Sequence, residues 1–123
     1  MTNPQEKNLK EKNQERTAQE KIQHLQTIEQ NLQHFLKQRQ QFQMQSMELE
    51  SAAEELKKTD KAYRIIGNIM VLSDKSALEK EIEEKKERVN LRIKSVEKQE
   101  SSLKEQAKAL REEIMKGMHG NGH

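Results

Sequence analysis

From Ala18 onward, apolar residues return at every seventh position. One series reads Ile28, Phe35, Phe42, Leu49 and Leu56, and a companion series reads Ala18, Leu25, Leu32, Arg39, Ser46 and Ala53. Two such series, three and four residues apart, make the a/d seam of a coiled-coil helix. Here the second series turns polar at its middle. Glutamine, a competent helix former, fills much of the rest. A second seven-residue repeat begins after residue 76, with Ile82, Val89, Val96, Leu103 and Leu110, supplemented by Leu78, Ile93, Ala107 and Ile114. Ser76 and Glu79 have the spacing of a capping box, and Gly117 is placed to stop the helix after Lys116. Ahead of the first repeat, Asn3 and Pro4 suit a helix start, yet Leu9 is nearly the only apolar residue before Thr17, so this extension is expected to fray.

Neither stripe is wide enough to stabilise a lone helix, and the two need each other. The connection between them lets the chain reverse, which predicts an antiparallel intramolecular coiled coil. Pairing Leu56 with Leu78 brings Phe42 opposite about Arg92 and Leu25 opposite about Leu110. Arg39 then falls at an a position and Lys85, Arg92 and Gln99 at d-like positions of the seam. Either their long stems pack while the charged ends reach water, or they set register and let the helices splay.

The connection is the most apolar part of the chain, Lys61-Ala-Tyr-Arg-Ile-Ile-Gly-Asn-Ile-Met-Val-Leu72. Its β-branched residues flank Gly67-Asn68, the signature of two strands, Ala62 to Ile66 and Ile69 to Leu72, joined by a two-residue type I′ or II′ turn. The competing reading is a buried helix-to-helix crossover. A lone two-stranded hairpin is marginal in water and exposes both edges, so the hairpin reading requires strands from other subunits. The chain thus divides into a polar extension (1–17), a first coiled-coil helix (18–59), an assembly hairpin (60–74), a second coiled-coil helix (75–116) and a mobile tail (117–123).

Composition narrows the picture. Charged residues make up 36% of the 123 positions and hydrophobic ones 31%, with two Phe, one Tyr and no Trp, too little to fill a deep globular core. No window is apolar enough for a membrane span or a secretory signal. The absence of cysteine removes thiol chemistry and fits a cytoplasmic location. The net charge of +2 mixes 23 cations with 21 anions, and the slight basic excess of the second half lacks an aromatic stacking platform, which argues against nucleic acid. His24, His34, His119 and His123 lack metal-ligand spacing. Phosphate loops, nucleophile–base pairs and clustered carboxylates are absent from the pattern. No cofactor and no enzymatic activity are expected.

The stretch from Tyr63 to Val71, set between two long heptad segments, resembles the beta class of prefoldin subunits, most closely the archaeal form. The resemblance covers nearly the whole chain, but only the hairpin and its flanking heptads are specific. It implies an all-α-dominated fold whose hairpin joins a β-barrel in a hexamer of two alpha-class and four beta-class subunits. It also implies an ATP-independent chaperone that holds unfolded proteins at its coiled-coil tips and passes them to a group II chaperonin. The assembly residues would be Tyr63, Ile65, Ile66, Gly67, Asn68, Ile69, Met70, Val71 and Leu72. Client capture needs exposed apolar side chains at the opposite helix ends, where Ile22, Leu25, Ile28, Leu110, Ile114, Met115 and Met118 lie. For Leu25 and Leu110 the plainer role is closing the coil. A coiled-coil adaptor or dimerisation module without clients is the alternative function.

Overall fold

The computed structural model describes residues 17–120, with side chains through Met118. The expected helix start at Asn3 and Pro4, and the histidines at 119 and 123, lie outside the described side chains. The order is α1 (Ala18–Lys58), β1 (Ala62–Ile66), β2 (Ile69–Ser73) and α2 (Lys75–Gly120). This is the expected class, two long helices around one antiparallel hairpin.

Helix α1 begins where Thr17 caps it. The Thr17 hydroxyl accepts from the Glu20 amide at 3.1 Å, and its carbonyl accepts from the Lys21 amide at 3.1 Å. Thr17 and Glu20 have the capping-box spacing. Helix α2 is capped by Asp74, whose carboxylate accepts from the Ser76 amide at 3.3 Å and whose carbonyl accepts from Leu78 at 3.0 Å. Ser76 is therefore inside the helix and is not its cap. Because β2 extends to Ser73, Asp74 is left as the half-in residue. Gly117 does not terminate α2, and Gly67 is the only described residue with positive φ. One glycine costs about 1 kcal/mol against alanine, too little to halt a helix flanked by Met and Lys.

The chain forms two compact units, each described by itself. In the unit holding His34 and Glu100, the helices pack antiparallel through Ile28, Ala107 and Leu110, with Leu25, Leu32 and Leu103 against them. Ile28 is 2% and Ala107 1% exposed, and burying a side chain of isoleucine size contributes about 1.5–3 kcal/mol. Ion pairs flank this seam, Lys21 with Glu113 at 3.7 Å and Arg111 with Glu29 at 3.3 Å.

In the second unit, Phe35–Gln99, the register is fixed by the Arg92 guanidinium 5.9 Å from the Phe42 ring centroid, as the expected pairing required. Ser46 also donates to Asn90 at 3.4 Å. Val89 and Val96 are buried here. The companion heptad positions on α2 are Lys86 and Ile93 in this unit and Glu100 and Ala107 in the other, all buried or half-buried, while Lys85, Arg92 and Gln99 are exposed. The polar residues inside the α2 seam are thus Lys86 and Glu100. The four-residue step from Val89 to Ile93 sets this phase, because side chains four apart share a face.

Candidate functional site

Among the described residues the hairpin gathers the longest run of exposed apolar side chains, from Tyr63 to Leu72. Strands β1 and β2 pair antiparallel with Tyr63 opposite Leu72, Arg64 opposite Val71, Ile65 opposite Met70 and Ile66 opposite Ile69. Gly67 has φ of 60°, and no other described residue has positive φ. Positive φ at the first turn position alone defines type II′. A Cβ at Gly67 would meet nothing within 4 Å, so backbone conformation is what demands glycine there.

Side chains alternate across the two faces of the sheet. One face carries Ala62, Arg64, Ile66, Ile69, Val71 and Ser73 and is held against α2 at one end. Ala62 is buried there. Arg64 forks onto the Glu81 carboxylate with both terminal nitrogens, one at 3.3 Å, and Lys85 reaches the same carboxylate at 3.4 Å. The Arg64 hydrogen bond, reinforced by Lys85, holds the Glu81 carboxyl below the usual carboxylate range against the opposing effect of desolvation. This clamp fixes the hairpin on the helix. Sequence spacing gives no sign of the partners, and the only cue is that Arg64 interrupts the apolar run on the helix-facing side of β1.

The other face carries Tyr63, Ile65, Met70 and Leu72, exposed by 54, 70, 66 and 62%. Among the described residues nothing buries it. In a two-residue hairpin the pair closing the turn is hydrogen-bonded, and the bonding alternates from there. The inward-bonded residues are therefore 62, 64 and 66 on β1. Residues 63 and 65, with 70 and 72 on β2, direct their backbone N–H and C=O groups outward along both free edges. The same four residues thus present bare apolar side chains and unpaired backbone. Ile66 and Ile69 at the turn are also largely exposed, and Val71 is 41% exposed. Asn68 occupies the second turn position.

The seven candidate capture residues separate by heptad position. Ile28 and Leu110 are buried in the seam, so they close the coil and offer no surface to a client. Leu25 and Ile114 are half-buried. Ile22, Met115 and Met118 are exposed by 43, 59 and 70%. Ile22 lies one heptad before Glu29 and Met118 one heptad after Arg111, so both fall on the flank that the Glu29–Arg111 ion pair bridges. Both thus lie one heptad beyond that pair toward the helix ends, with Met115 three residues from Met118 on α2.

Comparison with known proteins agrees with this geometry. A family model described as prefoldin subunit matches residues 19–121. The prefoldin subunit beta of Methanospirillum hungatei is 33% identical over 106 residues, covering 84% of this chain and 88% of that protein. That of Archaeoglobus fulgidus is 40% identical over 84 residues, covering 66% and 72%. The crystal structure of the prefoldin beta subunit from Thermococcus strain KS-1 superposes with a TM-score of 0.77 at 27% identity, covering 81% of this chain and 90% of that one. With the hairpin between paired helices and these likenesses together, the chain belongs to the prefoldin subunit family, as a beta-class member of that chaperone.

Proposed function

We propose that this chain is the beta-type subunit of an ATP-independent holdase, assembling through its hairpin with an alpha-class partner into a hexamer of two alpha and four beta subunits. The observation that carries the reading is the bare face of Tyr63, Ile65, Met70 and Leu72, whose backbone edges are also open. Such a surface is an aggregation hazard unless foreign strands cover it. In the assembled particle, Ile22, Met115 and Met118 capture non-native polypeptides by burying their exposed apolar segments. Methionine suits varied partners because its side chain is flexible and polarizable. One patch binds weakly, and several in one particle raise the effective concentration enough to retain a client. Handover to a group II chaperonin in the cytoplasm completes the reading.

The test is suppression of aggregation of a chemically denatured protein by the assembled complex. Replacing both Met115 and Met118 with Ser should lower suppression several-fold while leaving particle mass and helicity unchanged. Undiminished suppression by a correctly assembled double variant contradicts the capture site and favours the adaptor.

A further inference from the structure

Within the Phe35–Gln99 unit the two sides of the coil differ in chemistry. On one flank a groove runs between the helices, lined by Leu49 and Ala52 of α1 and Val89 of α2, and walled on the α2 side by Lys85, Arg88 and Arg92. Ala52 leaves the groove open where a longer side chain would fill it. On the α1 side its rim is Gln45 and Glu48. The cations are partly engaged at home: Lys85 with Glu81 at 3.4 Å, Arg92 over Phe42, and Arg88 with the Glu84 carbonyl at 3.5 Å. Three cations against one rim carboxylate still leave the groove basic.

The outward side of α1 is its complement. From Gln40 to Leu56 this helix carries, beyond the groove's own Glu48, Glu50, Glu54 and Glu55 and no Lys or Arg. In the same stretch Met44 and Met47 are 63 and 67% exposed. At 3.6 residues per turn these methionines are neighbours, pointing away from the Phe42 and Leu49 seam. An apolar pair bordered by carboxylates thus stands on one side of the coil, and an apolar groove walled by cations stands on another.

We propose that a second copy of this chain docks its Met44–Met47 face into this groove, giving adjacent beta-type arms a lateral contact near the hairpin. The inference rests on the assembly reading and deepens it. Ser46 bonds Asn90 and Arg92 lies over Phe42, so Met44 and Met47 stand level with the Arg88–Arg92 end of the groove, and copies joined side by side through their hairpins would hold the two surfaces at one height. The contact is heterologous, one face meeting a different face, so it propagates from copy to copy in one sense and closes only in a ring. It orders beta-type neighbours, whereas the hairpin face alone sets only that subunits associate.

The chain has no native cysteine, which allows a direct test. One preparation carries Met47→Cys and a second, mass-tagged preparation carries Ala52→Cys; both are assembled with an alpha-class prefoldin subunit and oxidised. The expected result is a disulfide joining the two tagged species, at least tenfold above that given by Met47→Cys paired with Lys37→Cys. In a second arm, Glu54→Arg and Arg88→Glu should each lower that yield severalfold, and mixing the two variant chains should restore it. Complexes of normal mass without the selective cross-link, or with a yield unmoved by charge reversal, overturn the lateral contact and leave the assembly reading standing. Cross-linking of Met47→Cys only to an alpha-class subunit given a surface cysteine of its own overturns the choice of a second copy as occupant. Absence of any complex by light scattering overturns both readings.

Discussion

Ile65 separates folding from assembly. It is 70% exposed in the isolated chain, so most of its hydrophobic contribution is unrealised until another surface covers it. Isoleucine to alanine removes three carbons, worth about 2.4 kcal/mol when fully buried at ~0.8 kcal/mol per carbon. Dividing by exposure leaves roughly 0.7 kcal/mol within the chain and about 1.7 kcal/mol for the interface. Ile65→Ala should therefore lower the thermal midpoint of the isolated chain by only about 3–6 °C. Its association with an alpha-class subunit should weaken about 15- to 20-fold for each hairpin contact. Circular dichroism melts give the first quantity, and a sedimentation-velocity titration gives the second. The reasoning is refuted if the variant loses helicity at room temperature, which would make Ile65 part of the core, or if association is unchanged, which would mean its face stays bare.

Three further predictions follow from burial, backbone geometry and charge. Ile28→Ala, at a site 2% exposed, should cost about 2–4 kcal/mol of chain stability by denaturant titration, with the hairpin register retained by amide exchange. Gly67→Ala meets no steric obstacle yet must hold φ near +60°, so it should destabilise the hairpin by about 1–2 kcal/mol, read as faster exchange of the strand amides while the helical amides hold. Because Glu81 is held below the ordinary carboxylate range by Arg64 and Lys85, its ionised form is favoured by folding. The clamp's contribution is complete above an unfolded-state pKa of about 4.3 and is lost as pH falls through the depressed value. Strand amide exchange should accelerate in that acidic window, and Glu81→Gln should abolish the pH step.

The heptad series and the hairpin were legible because both rest on local periodicity. Seven-residue spacing identified α1 and α2, and β-branched residues around Gly67-Asn68 marked the strands to within one residue. Features set by tertiary context were harder to read. The turn's type depends on the sign of φ at Asn68, and Gly-Asn accommodates either hairpin turn. Ser76 and Glu79 matched a capping box, but pairing of Ser73 with Ala62 shifts the helix start so that Asp74 caps it. Lys85 and Arg92 sit one position outside the seam, a displacement that only the Ile93 and Ala107 phase reveals. Ile28 and Leu110 belong to the strongest heptad series, which is why the fold buries them and leaves Ile22, Met115 and Met118 to the surface. The Arg64–Glu81 clamp joins elements whose orientation no spacing rule specifies.

The central claim is that the hairpin's bare face and edges require strands from other subunits. Light-scattering mass of the purified chain, alone and with an alpha-class prefoldin subunit, tests it most directly. The account predicts conversion to a discrete particle with the mass of two alpha and four beta subunits. A chain that stays monomeric at every partner ratio, with its exposed isoleucines still in solvent, would contradict it.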